Sequence, residues 1–258
     1  MNSPKVNKTV IPEIYQVLYH HFGPQHWWPG ETALEVVVGA VLTQNTNWKN
    51  VEKAIYQLKK DNCLSIDALY SVSVDHLASL IKPAGYFNVK ARRLKNVVGF
   101  IHDRYDSSIL KMKKQPVDIL MSELLSINGV GPETADSILL YALEKTAFVV
   151  DAYTKRFMMR HNLVADAADY HGIQEVFVSA IGHDQKIYNE YHALIVRLGK
   201  DYCKTTPLCE KCPLNRIEYN MIDRCQSCYR GFIKGEKRYA TKDRKTRCFH
   251  CYNEAIKS

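Results

Sequence analysis

The sequence predicts a mostly α-helical protein with a small cysteine-rich C-terminal extension. Three observations carry that expectation. Apolar residues recur at helical spacing through residues 1–202. Seven of the eight cysteines lie in residues 203–258, where aliphatic periodicity fades. The best strand-like run, Ala147-Phe148-Val149-Val150, is too short to imply a sheet. The boundary is therefore drawn between a helical body, 1–202, and a metal-stapled tail, 203–258.

Within the body, Leu34, Val37, Val38, Val41 and Leu42 share one helical face. The polar break Thr43-Gln44-Asn45-Thr46-Asn47 ends that helix. Trp48, Val51, Ala54, Ile55 and Leu58 mark the next one. Val117 to Leu125 leads into the turn Asn128-Gly129-Val130-Gly131-Pro132. Glu133 to Leu143 then reads as a helix, with Ala135, Ile138, Leu139 and Ala142 on one side.

Composition excludes several classes. Apolar residues at 46% and charged residues at 24% of the 258 positions describe a folded globular chain, not a disordered one. No window approaches ~18 consecutive apolar residues, so no membrane span is expected. The first residues lack the apolar run of a signal peptide. A cytoplasmic, reducing setting follows, in which clustered cysteines hold metal rather than disulfides. The net charge of +8 suits a polyanionic partner such as nucleic acid, although many basic proteins bind none.

Two short segments carry chemistry. In Ile127-Asn128-Gly129-Val130-Gly131-Pro132, glycines permit positive φ and leave backbone amides uncovered. Pro132 suits the first turn of a helix, and amides at such a terminus can bind a phosphate oxygen. An ordinary helix–helix turn fits the spacing equally well. Downstream, Asp151 follows an apolar run and precedes Ala152-Tyr153-Thr154, the pattern of an N-cap.

Taken together these motifs resemble the endonuclease III superfamily of helix-hairpin-helix DNA glycosylases, whose hairpin reads Leu-Pro-Gly-Val-Gly followed by Thr-Ala. Here Ile127 and Asn128 replace the first two positions. The resemblance implies a two-lobed fold in which Gly129, Val130, Gly131 and Thr134 hold the backbone of duplex DNA. It implies that Asp151 is the catalytic carboxylate. Such a group stabilises charge on the deoxyribose and activates water as the glycosidic bond breaks. Members that also cut the strand carry a lysine two residues after the second glycine. Glu133 stands there and cannot form an imine, so the expected reaction is hydrolysis without strand cleavage.

A subgroup resemblance is narrower. Trp27-Trp28-Pro29, Gly39-Ala40-Val41-Leu42-Thr43-Gln44-Asn45-Thr46-Asn47-Trp48 and Pro83 to Leu94 are similar to bacterial 3-methyladenine DNA glycosylases. This implies that Trp28, Pro29 and Trp48 enclose an extruded, N-alkylated purine, with Trp27 in support. An indole face attracts a cationic base by ~0.5–2 kcal/mol. Gln44 matches the residue that fills the gap left in the duplex. Core packing is the plainer role for the tryptophans. Lys90, Arg92, Arg93 and Lys95 form a basic cluster that reads either as a solvated helix face or as a phosphate contact, with Lys90 the candidate. The rivals are a glycosylase for another lesion and a non-catalytic DNA-binding protein. A monomer suffices for the chemistry.

The tail begins Cys203-x5-Cys209-x2-Cys212, similar to the superfamily's 4Fe-4S loop, Cys-x6-Cys-x2-Cys-x5-Cys. Its first gap is one residue short, and Glu218 occupies the fourth position. Cys225 is the next cysteine and the preferred fourth ligand. Cys228, Cys248, His250 and Cys251 would then form a second, zinc-binding site. Two other partitions stay open. One keeps Cys225-x2-Cys228 and Cys248-x2-Cys251 as a zinc ribbon. The other pairs Cys209 and Cys212 with Cys225 and Cys228. Basic residues between the outer knuckles suit either an added DNA contact or a solvated loop.

Overall fold

The structure is a computed structural model of the chain. It describes residues 10–27, 30–164 and 167–217, and beyond them the backbone of four strand segments, 221–224, 231–233, 239–240 and 246–247. Trp28, Pro29, Cys225, Cys228, Cys248, His250 and Cys251 lie outside the described residues.

The fold is helical, as the periodicity predicts. In chain order the α-helices are α1 (Val10–Phe22), α2 (Ala33–Leu42), α3 (Trp48–Lys60), α4 (Ile66–Ser71), α5 (Val74–Leu80), α6 (Phe87–Tyr105), α7 (Ile109–Lys113), α8 (Val117–Ser126), α9 (Pro132–Ser137), α10 (Ala152–Arg160), α11 (Tyr170–Ile181) and α12 (Gln185–Asp201). A π-helical turn, Ile138–Ala142, continues α9, so the helix expected over Glu133 to Leu143 is present but widens halfway. In the tail, β1 (Met221–Arg224) pairs antiparallel with β2 (Gly231–Ile233). Likewise β3 (Tyr239–Ala240) pairs with β4 (Thr246–Arg247). The apolar run Ala147–Val150 is buried but forms no strand.

The helices fall into two compact units, which do not follow the compositional boundary at residue 202. One comprises residues 1–26, 150–184 and 190–258; the other comprises 27–149 and 185–189. They are called the Asp151 unit and the hairpin unit below.

In the hairpin unit, α2 is the central element. Val36, Val37, Val38, Val41 and Leu42 are all buried. Burial on nearly every side outweighs the modest helix-forming tendency of valine. Thr32 starts the helix by accepting a hydrogen bond from the Glu35 amide at 3.2 Å. The helix packs against α6, α9 and the π turn. Leu94, Val97, Val98, Leu120, Leu124, Leu139 and Phe148 complete that core.

In the Asp151 unit, α1 buries Ile11, Ile14 and Leu18, while α10 and α11 bury Phe157 and Phe177. Helix α12 contributes Tyr191, Leu194 and Ile195. No helix among the described residues is long and apolar enough to cross a membrane.

Candidate active site and nucleic-acid interface

The helix-hairpin-helix is built by α8, the turn 127–131 and α9. Ile127 ends α8, and the Val130 amide donates to the Ile127 carbonyl at 3.0 Å. That closes the turn and puts Gly129 at φ 95°, a region that side-chain-bearing residues rarely adopt. A methyl group on Gly129 would sit 2.3 Å from Cγ of Arg93. Glycine is therefore required twice, by the backbone and by the arginine lying over it. Gly131 is extended, and Pro132 opens α9, whose first amides have no acceptor within the helix. Val130 is buried: its side chain anchors the turn.

Gln44 is tied to this hairpin. Its Nε2 donates to the Gly129 carbonyl at 3.1 Å and to Thr134 Oγ1 at 3.0 Å. Its Oε1 accepts from Arg93 Nη1 at 2.5 Å. Thr134 is itself buried, so its hydroxyl orients Gln44. Arg93 was legible only as part of a basic cluster. Its bond to Gln44 depends on the return of α6 past the end of α2, which no local spacing encodes.

The cluster itself is split by the fold, and Lys90 departs from its expected phosphate-facing role. It is 2% exposed. Its ammonium donates to the carbonyls of Leu42 at 2.9 Å and Ala84 at 2.7 Å. Burial, then the charge of Arg93, push its pKa down. The physical reason is geometric: α2 ends at Leu42 with an unused carbonyl, and Lys90 satisfies it. Lys95 does the same for α4, donating to Leu69 at 3.1 Å, to Val72 at 2.9 Å and to Tyr70. Arg92 remains exposed. It lines a surface groove with Arg93, Asn96 and Asn128 beside the hairpin.

Of the aromatic residues expected around a base, Trp27 and Trp48 are half-buried. Trp48 opens α3 after the Asn47 cap. Its ring lies on Gly39, where a Cβ would be 3.0 Å from Cη2, so Gly39 makes room for the indole. An aromatic that the motifs did not single out is Tyr86. It is 73% exposed and held at φ 47° before α6.

In the Asp151 unit, Asp151 is the N-cap of α10. Its Oδ1 accepts from the Thr154 amide at 2.7 Å and from Thr154 Oγ1 at 2.9 Å. Its Oδ2 lies 3.6 Å from Nε2 of His192. Burial pushes this carboxyl up. His192 and the two Thr154 donors together outweigh that push and hold the carboxyl below the ordinary range. His192 was not legible in the sequence. It stands in a helical run far along the chain, and only the packing of α12 brings it to Asp151.

Cys203, Cys209 and Cys212 line one small cavity with Arg160 and His161. Arg160 Nη1 donates to Cys203 Sγ at 3.5 Å and to the Lys204 carbonyl at 2.5 Å; Nη2 donates to the Thr205 carbonyl at 2.9 Å. Cysteine thiolates are the ligands of iron–sulfur clusters, and three cysteines line this cavity beside a guanidinium. Cys225, the expected fourth ligand, lies outside the described residues. Among the described residues alone, no group of three or more His, Cys, Asp or Glu side chains is arranged to hold a single metal ion.

Hairpin, capping aspartate and thiol loop together define the class. Residues 38–181 match the HhH-GPD superfamily of base excision DNA repair proteins, and the chain belongs to that superfamily. Among individual relatives, it is 52% identical over 216 residues to the candidate DNA repair glycosylase MJ1434 of Methanocaldococcus jannaschii. That alignment spans 83% of this chain and 98% of the relative. Its fold matches the H. pylori 3-methyladenine DNA glycosylase MagIII bound to 1,N6-ethenoadenine. The TM-score is 0.64 and the identity 27%, over 74% of this chain and 97% of that one. A non-covalent endonuclease III–DNA complex shares the fold with a TM-score of 0.71 at 20% identity, over 86% and 96% of the two chains.

Proposed function

We propose that this protein is a monofunctional DNA glycosylase that hydrolyses the N-glycosidic bond of an alkylated purine, 3-methyladenine first among them, extruded from duplex DNA. The observation that carries the reading is Asp151. One of its oxygens is fixed by Thr154, and its charge is maintained despite burial. A rigid carboxylate held ionised is what a sugar acquiring positive charge requires. It can also orient or deprotonate the attacking water.

The other roles follow residue by residue. Gly129 and Gly131, with the first amides of α9, hold a strand phosphate, a contact that positions the duplex without reading its sequence. Gln44 fills the gap left by the extruded nucleotide. Trp28, Pro29 and Trp48, with Trp27, enclose the base. Tyr86 offers a ring that can stack on bases. Glu133 is exposed at the position where a lyase lysine would stand, so water is the nucleophile and an abasic site the product. The likeness to MagIII supports the alkylated-purine choice, and a lesion of another kind is the alternative.

Cys203, Cys209 and Cys212, with Cys225 as the fourth ligand, would hold the 4Fe-4S cluster. When bound, such a cluster stabilises its loop. Arg160 ties that loop to α10. Zinc held by the remaining tail ligands is the second metal. A monomer acting on DNA in the cytoplasm completes the proposal.

The experiment incubates full-length protein with methylated duplex DNA and identifies the released bases by mass spectrometry. Strand breaks are scored before and after alkali. Release of methylated adenine with breaks only after alkali is expected. Absence of base release defeats the alkylation reading, and breaks without alkali defeat the hydrolytic one. Iron and zinc analysis of Cys225→Ser and Cys228→Ser separates the ligand partitions. Iron should fall in the first and zinc in the second.

A further inference from the structure

Asp151 is held unevenly. Oδ1 accepts two hydrogen bonds from Thr154, on its own helix. Oδ2 meets a single group among the described residues, Nε2 of His192 on α12. The separation of 3.6 Å exceeds a direct hydrogen bond. The two groups face each other across a gap, which leaves Oδ2 free to engage a reacting group. Both side chains are withdrawn from solvent, His192 at 8% and Asp151 at 15% exposure.

The setting of His192 makes the contact informative. Its neighbours on α12, Tyr188, Tyr191, Ala193, Leu194 and Ile195, are all fully buried. A polar ring in such a run is costly unless it faces polar partners. A helix packed by its neighbours on this scale holds its side chains rigidly, as a catalytic support requires.

We infer that His192 is a positioning residue for Asp151, facing Oδ2 from α12 so that this edge of the carboxylate is presented to the sugar and the attacking water. The inference rests on the reading of Asp151 as the catalytic carboxylate. His192 acts through Asp151. Among the described residues, the groups that act on the Asp151 carboxyl are His192 from α12 and Thr154 from α10, and of these two His192 alone is titratable.

The test uses full-length protein carrying His192→Leu, which keeps bulk without polarity, and His192→Asn, which keeps a donor. The first readout needs no catalysis: the side-chain carboxyl 13C resonance of Asp151, assigned by its loss in Asp151→Asn, is titrated. Its midpoint should move to higher pH in His192→Leu and return toward wild type in His192→Asn. The second readout is single-turnover base release from methylated duplex DNA. It should fall about 10²-fold in His192→Leu, with DNA affinity unchanged and partial recovery in His192→Asn. An Asp151 midpoint that does not move overturns the inference, whether or not methylated DNA is a substrate. A moved midpoint with no base release from wild type retires the proposed substrate and leaves the positioning role standing. If the leucine variant fails to fold, the wild-type and asparagine titrations decide: a donor weaker than imidazole must still shift the midpoint upward.

Discussion

The α6 start of the hairpin unit and the α10 start of the Asp151 unit each bury a charged side chain, and they do so to opposite ends. At α6, the Lys90 ammonium is taken up by two backbone carbonyls and closes the end of another helix. At α10, among the described residues, the Asp151 carboxylate is hydrogen-bonded through one oxygen, and the other faces one imidazole across a gap. A fully satisfied charge serves architecture. The Asp151 charge is half-satisfied and held below the ordinary carboxylate range, as the proposed chemistry requires. The contrast teaches that burial alone does not say what a charged side chain is for; the partners it meets must be read as well.

The largest effect should come from Asp151→Asn. Asparagine still caps α10, so the fold and DNA affinity should persist. Base release should fall by about 10²–10⁴-fold, read in single-turnover assays beside a DNA-binding titration. Retention of activity would make Asp151 an architectural cap like any other and erase the contrast.

Gly129→Ala should follow. It forces a side chain into positive φ and against Arg93, and should cost about 1–3 kcal/mol. DNA binding should weaken with the distorted hairpin. Adding Arg93→Ala should recover only the part of the loss due to the clash. Full recovery in denaturant melts would mean that the backbone requirement is negligible.

Lys90→Met sharpens the architectural side. It leaves the Leu42 and Ala84 carbonyls without their donor and should lower stability by about 1–3 kcal/mol. The salt dependence of DNA binding should not change, because Lys90 is buried and its ammonium is taken up by two backbone carbonyls. A reduced salt slope would return Lys90 to the interface.

The smallest effect is one of pH. The folded-state pKa of Asp151 is depressed. Its charge therefore contributes stability that is complete above the ordinary aspartate pKa of about 3.9. That contribution is lost as pH falls through the lowered native value. The stability gap between wild type and Asp151→Asn should accordingly be constant near neutrality and shrink in strong acid. A gap that widens toward acid would reverse the sign of the shift.

Much of the helical order was legible because local pattern and tertiary need agree. The break at Thr43–Asn47, the cap at Asp151 and the glycines of the hairpin are each set by backbone chemistry within a few residues. The cluster Lys90-Ala91-Arg92-Arg93-Leu94-Lys95 shows where that agreement ends. Four cations within six positions read as one surface feature. The fold turns Lys90 and Lys95 onto the ends of other helices, leans Arg93 across the hairpin and leaves Arg92 in solvent. The compact units were illegible for a related reason. Each is assembled from segments distant in the chain, and composition records neighbours in sequence only.

By itself the sequence determined the helical class, the hairpin with its two glycines, the capping carboxylate and the loop of closely spaced cysteines. All of these are local: they follow from the side-chain period, from φ preferences and from the reach of a short side chain to its own backbone. Only the tertiary structure decided that Arg93 grips Gln44, that Lys90 is withdrawn and that His192 confronts Asp151. Those pairings join residues on separate helices, and their energies depend on burial and on interatomic distance, neither of which exists until the helices pack.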